Sequence, residues 1–357
     1  MTWRPRVRDD LALMEGYHSP QVSVDVRLNT NESPYAPPAA FTRELAAAIG
    51  DVQWHRYPDR SAKALRGKIA AHYGVRADQV FVANGSNEVL QCLLLAYGGP
   101  GRRAAVFEPT YALHSHIARI VGTEVVVGER TEHFDLDLDV AFSVIDTHQP
   151  EVVFLCSPNN PTGVVDPPET VRAIVDRTRA YAGLVIVDEA YGQFAPMSAV
   201  AMVSEDRALV VTRTFSKTWS LAALRLGYCI APSWLVAELD NVVLPYHLDT
   251  VKQIAGSLAL DFRDEMDERV KLLVEERGRL AAALHELPVT VWPSGANFVL
   301  FRPDARDGDA VWQSLVDRSV LVRNCASWPR LDGCLRVTIG TPDEDDRFLA
   351  ALTESLR

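Results

Sequence analysis

The sequence is poor in cysteine and has no long apolar run. Its 357 residues include five scattered cysteines, with no C-x-x-C pair among them. This usage disfavours a disulfide framework and favours reduced thiols in a cytoplasm. No uninterrupted apolar stretch is long enough to cross a bilayer, and the opening MTWRPRVRDD lacks the apolar core of a secretory signal. We therefore expect a cytoplasmic protein that does not bind membranes.

Positive charge is also scarce. Lys plus Arg total 36 and Asp plus Glu total 47, so the formal net charge is −11. That balance disfavours nonspecific binding to nucleic acid, although a local cluster of arginines can still bind a small anionic substrate. The closest histidine pair, His114 and His116, has no accompanying carboxylate motif, which disfavours a metal enzyme.

Short apolar runs alternate with helical patterns through the middle of the chain. The runs are 80–83, 104–107, 152–156, 184–187 and 209–211, and the helices between them include 61–73, 86–96 (capped by Ser86) and 111–121. Runs that are apolar on both faces predict a mostly parallel sheet buried between helices, in an α/β fold. Residues 251–285 predict one long helix or two, and three short strands follow at 289–292, 298–301 and 335–339.

This pattern predicts two domains and an arm. We expect an N-terminal arm over 1–27 and a large domain over 51–250. Residues 28–50 and 251–357 would form a smaller α+β domain. No internal repeat and no low-complexity segment interrupts this organisation.

Polar residues follow each predicted strand of the large domain. In an open α/β sheet, ligands bind outside the carboxyl ends of the strands, so these side chains should share one crevice. In chain order they are Gly85, Ser86 and Asn87; Tyr111; Asn160; Asp188 and Tyr191; and Thr214, Ser216 and Lys217, with Arg225 shortly after.

This set of groups fits pyridoxal 5′-phosphate (PLP). Lys217 supplies an amine for a Schiff base with the cofactor aldehyde. Asp188 supplies an anion that keeps the pyridine nitrogen protonated, and Asn160 and Tyr191 can donate to the phenolate oxygen. Tyr111 can stack on the ring. Lys217, Asp188 and Tyr191 are the predicted catalytic residues.

The cofactor phosphate needs its own set of donors. The start of the helix at Ser86 suits an anion, because free backbone N–H groups and the helix dipole both point outward there. Arginine and hydroxyl groups can complete such a site. The predicted residues are Gly85, Ser86, Asn87, Thr214, Ser216 and Arg225.

Each of these features has a simpler structural explanation when it stands alone. An isolated lysine is usually solvated, and Asn84-Gly85-Ser86 is an ordinary turn. It is their joint appearance, in this order after successive strands, that favours a PLP site.

Longer segments carry a family resemblance. VFVANGSNEVL, SPNNPTG, VIVDEAYGQF and VVTRTFSKTWSLAALRLGY resemble fold-type I aminotransferases. RLNTNESPYAPP, HRYPD, LPYHL, SGANFVLF and CLRVTIGT resemble the histidinol-phosphate aminotransferases more narrowly, and the similarity runs from Leu28 to Thr341. The resemblance implies a PLP-dependent transferase of fold type I. It would convert histidinol phosphate and 2-oxoglutarate to imidazole-acetol phosphate and glutamate, in histidine biosynthesis.

The resemblance also implies further site residues. Tyr57 would reach the cofactor phosphate of a neighbouring subunit, which implies a homodimer with shared active sites. Arg336 would bind the glutamate carboxylate and the phosphate of the other substrate. The remaining residues on the substrate side would be Tyr17, Asn31, Asn297 and Arg323.

Other functions remain open at this stage. An aromatic aminotransferase would use the arginines for carboxylates only, and a decarboxylase of a phosphorylated amino acid would not need 2-oxoglutarate. A PLP-binding transcription regulator needs a DNA-binding domain, and none fits before Leu28 in this acidic chain. The sequence departs from the family at Thr218-Trp219-Ser220, where Trp219 could alter the pocket wall.

Overall fold

The computed structural model describes residues 3–11 and 22–357. Over these residues the strands are β1 (Val26–Leu28), β2 (Val80–Ala83), β3 (Arg103–Glu108), β4 (Glu124–Glu129), β5 (Val152–Cys156), β6 (Leu184–Asp188), β7 (Leu209–Thr214), β8 (Gly227–Ile230), β9 (Val289–Val291), β10 (Phe298–Pro303), β11 (Val320–Asn324) and β12 (Leu335–Thr338). None of the described helices has the length and apolarity to span a bilayer.

The α-helices of the described residues connect these strands. They are α1 (Ala39–Gly50), α2 (Lys63–Tyr73), α3 (Ser86–Tyr97), α4 (Ala112–Ile120), α5 (Leu138–His148), α6 (Pro168–Thr178), α7 (Ser233–Val242), α8 (Thr250–Ala259), α9 (Arg263–His285), α10 (Gly308–Asp317) and α11 (Pro342–Ser355).

The larger sheet has seven strands in the order β2-β8-β7-β6-β5-β3-β4. Strands β7, β6, β5, β3 and β4 run parallel, whereas β8 is antiparallel to both of its neighbours. Alternate residues of β5 face opposite cores: Val153 and Leu155 pack on one side of the sheet, and Val152 and Phe154 pack on the other. Helices cover both faces, which explains why the strands are continuously apolar. The predicted α/β fold is confirmed.

The smaller sheet has five strands in the order β1-β11-β12-β10-β9. Strand β1 is parallel to β11, and the other pairs are antiparallel. Its core contains Phe298, Phe301 and Phe348. The pairing joins residues that are almost 300 positions apart, since Val26 lies opposite Val320.

One long helix joins the two cores. Met266, near the start of α9, packs into a core of the larger sheet, while Leu273 and Leu280 pack into the core of the smaller one. Phe41 of α1 also packs against the larger sheet. The domain limits given above stay a prediction.

Two local expectations need correction. Helix α3 begins at Ser86, but its N-cap is Gly85 and no side chain caps it. Gly85 has φ of 81°, a left-handed conformation that turns the chain and leaves the first backbone N–H groups of the helix open. Strands β1, β4, β8 and β11 were not predicted. Strand β4 alternates buried and exposed residues and carries a glutamate at each end, so its apolar run is weak.

Candidate active site

One cavity lined by described residues lies between the two sheets, at the carboxyl ends of the parallel strands of the larger sheet. Twelve predicted residues line it: Asn31, Ser86, Asn87, Tyr111, Asn160, Asp188, Tyr191, Thr214, Ser216, Lys217, Arg225 and Arg336. The structure therefore brings together groups that are spread over 306 positions of the chain, from Asn31 to Arg336.

Lys217 follows β7 and points into this cavity. Its Nζ donates a hydrogen bond to the carbonyl oxygen of Thr30 at 3.0 Å, and lies 5.8 Å from the centre of the Tyr191 ring. Burial, together with the positive charge of Arg336, lowers the pKa of Lys217 to about 7. A lysine with such a pKa is partly neutral near pH 7, so its amine is available as a nucleophile.

Asp188 ends β6 and is almost completely buried. Its Oδ1 accepts hydrogen bonds from the backbone N–H of Ala190 at 3.1 Å and from Thr212 Oγ1 at 3.2 Å. His114 Nε2 lies 2.9 Å from Asp188 Oδ2. These contacts hold the carboxylate in one orientation beside the cavity.

His114 was missed as a site residue by the sequence analysis, which considered it only as a metal ligand. It is fully buried, and its ring stacks on Phe154 with centroids 4.7 Å apart. Its position in α4, three residues after Tyr111, places it behind Asp188. The available signal was its spacing from Tyr111, because residues three apart in a helix lie on the same side.

The start of α3 and the loop after β7 meet at one end of the cavity, which could hold an anion. Arg225 Nη1 donates to Ser216 Oγ at 3.1 Å, and Thr214 Oγ1 lies 3.0 Å from the same oxygen. A Cβ on Gly85 would lie 2.9 Å from Arg225 Nη2, and one on Gly227 would collide with the backbone nitrogen of Ser86. The close backbone approach therefore requires glycine at position 227, while the positive φ of Gly85 favours glycine there.

Two tyrosines and an asparagine complete the wall. Tyr111 Oη donates to Asn87 Oδ1 at 3.3 Å. Tyr191 is buried, which raises its pKa to about 12, and its Oη accepts a hydrogen bond from Asn31 Nδ2 at 2.9 Å. Asn160 Oδ1 accepts a hydrogen bond from Arg336.

The smaller sheet supplies the opposite wall. Arg336 of β12 is 5% exposed; besides Asn160, its guanidinium donates to the carbonyl oxygen of Asn29 at 3.0 Å. Asn31 has φ of 55° and is held by Thr338, whose Oγ1 accepts from Asn31 N at 2.9 Å and donates to its Oδ1 at 3.1 Å. Asn297 Nδ2 donates to the carbonyl oxygen of Asn31 at 3.2 Å. Asn297 thus supports this wall from behind.

Besides Asn297, three predicted residues do not line the cavity, and one cannot be placed. Arg323 is 8% exposed and lies opposite Arg336 in the sheet, so it is a buried neighbour and not a surface residue. Gly85 is one residue outside the lining. Tyr57 is 80% exposed and stacks on Tyr246, away from the cavity of its own chain. Tyr17 lies outside the described residues.

Trp219 is not part of the pocket wall, so that expectation was wrong. It is buried near Phe215, with ring centroids 5.4 Å apart, and it packs beside Phe41 under α1. The Trp219 indole is buried in this apolar region with Phe41 of α1, and it does not face the polar cavity.

The groups in the cavity match the chemistry of PLP. A partly neutral lysine amine suits its aldehyde, and a buried carboxylate suits its protonated pyridine nitrogen. The start of α3 suits its phosphate, because a Cβ at Gly85 would project toward Arg225 at this end of the cavity, and glycine leaves that space open. The residues present therefore fit this cofactor.

Comparison with known proteins decides the family. The family model described as aminotransferase class I and II matches residues 23–352. The chain belongs to this aminotransferase family. The predicted transaminase activity and the predicted PLP dependence are thereby confirmed.

Individual relatives of this aminotransferase carry a narrower name. A histidinol-phosphate aminotransferase from Frankia casuarinae is 45% identical, covering 99% of this chain and 92% of its own. One from Mycolicibacterium smegmatis is 44% identical, covering 98% and 93%. The crystal structure of the Sinorhizobium meliloti histidinol-phosphate aminotransferase in complex with pyridoxal-5′-phosphate has a TM-score of 0.89 at 21% identity, covering 100% of this chain and 99% of that one.

Proposed function

We propose that this aminotransferase transfers the amino group of histidinol phosphate to 2-oxoglutarate, giving imidazole-acetol phosphate and glutamate. The reaction would belong to histidine biosynthesis in the cytoplasm. The names of the relatives at 45% and 44% identity support this substrate, since both cover almost the whole chain.

The observation that carries the proposal is a pair of buried arginines. Arg336 and Arg323 lie opposite each other on β12 and β11, and they are 5% and 8% exposed. Two arginines at facing positions of neighbouring strands can together bind the several oxygens of one anion. A phosphate carries more charge and more oxygen acceptors than a carboxylate, so it suits this pair better.

The other residues of the cavity have proposed roles toward PLP. When bound, PLP supplies an electron sink that stabilises negative charge at the substrate Cα. Asp188 would hold the proton on the pyridine nitrogen, and Asn160 and Tyr191 would contact the phenolate oxygen. The phosphate would lie between the start of α3 and Arg225, while Tyr111 would cover one face of the ring.

Lys217 would have two roles. Its Nζ would attach the cofactor and, once displaced by the amino group of the substrate, would accept the proton from the substrate Cα as a general base. The low pKa of this lysine supports both roles, because each requires the neutral amine. Arg336 would fix the far end of the donor so that its Cα lies beside Nζ.

A homodimer with shared active sites is also part of the proposal. Tyr57, Trp54 and Leu244 are 80%, 70% and 76% exposed, and Tyr57 stacks on Tyr246 at 4.5 Å. Such exposed apolar side chains are typical of a protein interface. Tyr57 would contact the cofactor phosphate of the partner subunit.

Hybrid dimers test the shared site. We expect a Lys217→Ala protein and a Tyr57→Ala protein, each with low activity, to regain part of the activity when mixed. The matched control mixes the Tyr57→Ala protein with a Lys217→Ala/Tyr57→Ala double variant. No site in those hybrid dimers has both Lys217 and Tyr57, so no activity should return. Full activity in a dilute monomer would contradict the shared site.

A donor screen tests the substrate. We expect the specificity constant, kcat/KM, to be much higher for histidinol phosphate than for histidinol with 2-oxoglutarate as acceptor. A preference for phenylalanine over histidinol phosphate would instead indicate an aromatic aminotransferase. Release of carbon dioxide without 2-oxoglutarate would indicate a decarboxylase.

A further inference from the structure

The loop between the two arginine strands contains a tryptophan that no motif had indicated. The loop runs from Cys325 to Cys334, between β11 with Arg323 and β12 with Arg336. Its backbone is closed on itself: Cys325 N donates to the carbonyl oxygen of Cys334 at 2.9 Å, and Trp328 N donates to the carbonyl oxygen of Cys325 at 2.9 Å. Trp328 is therefore held on a well-defined turn.

The Trp328 side chain contacts three functional elements at once. It lines the cavity and is 7% exposed. Its Nε1 donates to the carbonyl oxygen of Thr110 at 3.0 Å, next to the predicted cofactor-stacking Tyr111. The Cζ atom of Arg323 lies 5.1 Å from the centre of its ring. The Trp328 indole thus lies between Thr110, which precedes α4, and Arg323, which does not line the cavity.

This placement has an electrostatic consequence. Arg336 and Arg323 are both cationic and occupy facing positions of β12 and β11, and Arg336 donates to the oxygen acceptors of Asn160 and Asn29. The indole face offers Arg323 an attractive cation–π contact in a buried environment, where such contacts are strongest. Loss of the ring would remove this contact and leave the Arg323 side chain less constrained in position.

We infer that Trp328 is a specificity-determining residue, which selects phosphorylated donors by holding Arg323 beside Arg336 at the substrate end of the cavity. The inference rests on the proposed function. Glutamate depends on it less, because Arg336 alone can bind a carboxylate in bidentate fashion. Trp328 is a positioning residue, since it acts on the donor phosphate through Arg323.

Two substitutions separate its contributions. Trp328→Leu removes both the ring face and the N–H group, whereas Trp328→Phe keeps an aromatic face and loses the hydrogen bond to Thr110. For Trp328→Leu we expect kcat/KM for histidinol phosphate to fall about 30-fold, mainly through KM, which corresponds to about 2 kcal/mol. The value for glutamate should fall by less than about threefold, and Trp328→Phe should recover most of the selectivity.

Trp292 offers a matched control. It packs in the same apolar cluster as Trp328, and Arg302 lies 5.7 Å from the centre of its ring, but it does not line the cavity. Trp292→Leu should leave the ratio of the two specificity constants unchanged. Thermal unfolding of all three variants reports any general loss of stability.

The outcomes distinguish this inference from the proposed function. A wild-type enzyme that uses histidinol as well as histidinol phosphate would overturn the proposed substrate, and the role of Trp328 with it. A wild-type enzyme that prefers the phosphate, together with equal losses for both donors in Trp328→Leu and Trp328→Phe, would overturn the role of Trp328 alone. The same would follow if Trp292→Leu changed the donor ratio as much as Trp328→Leu.

Discussion

The two walls of the cavity are built in different ways. The wall on the larger sheet consists of residues at the ends of successive strands, such as Asp188 at the end of β6 and Lys217 after β7. The wall on the smaller sheet combines Asn31, Trp328 and Arg336, which come from opposite ends of the chain. The wall on the larger sheet, called here the cofactor wall, holds groups suited to a cofactor. The wall on the smaller sheet, called here the recognition wall, holds groups suited to a variable substrate.

The walls nevertheless act on one another. Lys217 belongs to the larger sheet, but its Nζ donates to Thr30 on the other side, and the charge of Arg336 contributes to its low pKa. The residues for the chemical step and those for substrate recognition therefore lie on different walls, but the charge of Arg336 still affects the pKa of Lys217. Each prediction below changes one wall and asks what happens to the other.

The largest effect is expected from Lys217→Ala on the cofactor wall. Turnover should fall by about a thousandfold or more, because both the attachment point and the general base are lost. Borohydride reduction of wild-type protein should trap PLP on Lys217, and the variant should give no trapped adduct. Lys68→Ala, which changes a lysine paired with Asp261 outside the cavity, is the control. An adduct on any other lysine would contradict the assignment.

Asp188→Asn should follow in size. We expect a loss in kcat of about 100-fold, since a charge-assisted contact to the ring nitrogen typically contributes about 1.5–3 kcal/mol. Some cofactor should remain bound, because the phosphate end of the site is unchanged. The absorbance of bound cofactor and kcat are measured together. Near-normal turnover in a cofactor-loaded variant would rule out the role of Asp188.

The arginines of the recognition wall should differ from each other. Arg336→Ala should lower kcat/KM by roughly 10- to 100-fold for glutamate and histidinol phosphate alike, because it removes the anion contact that both share. Arg323→Ala should lower the value about tenfold for histidinol phosphate and leave glutamate almost unchanged. Arg302→Ala, which changes an arginine outside the cavity, serves as the control. Equal losses for both donors in Arg323→Ala would remove the distinction.

The smallest effect concerns pH and links the two walls. Lys217 has its pKa lowered to about 7, so the neutral amine is lost as the pH falls below that value. Uptake of PLP by cofactor-free protein should therefore be roughly tenfold slower one pH unit below the midpoint, and should level off above it. Arg336→Leu should move the midpoint to higher pH, because it removes a positive charge. A midpoint near 10 in the wild type would show that the lysine is not buried as described.

The cofactor wall could be predicted from sequence in most of its parts. Asn160, Asp188 and Lys217 each follow an apolar run that is long enough to identify as a strand. Their convergence follows from one rule about the carboxyl ends of parallel strands. His114 was not predicted, because its spacing of three residues from Tyr111 was the only local signal and does not show that the ring lies behind Asp188.

The recognition wall was predicted only through family resemblance. Arg336 and Arg323 were named on that basis, but nothing local shows that they lie opposite each other. Trp328 was not predicted at all, and Trp219 was assigned to the wrong environment. A tryptophan has the same sequence signature in a core and in a binding site, so only its neighbours reveal the difference.

By itself, the sequence determined the α/β architecture, the family and the cofactor chemistry, because apolar periodicity and strand-end residues act over short stretches of chain. Only the tertiary structure decided the arrangement of substrate recognition. The pairing of β1 with β11 and of β11 with β12 brings Asn31, Arg323 and Arg336 to one place. Such long-range pairing depends on packing and charge between segments that the linear order keeps apart.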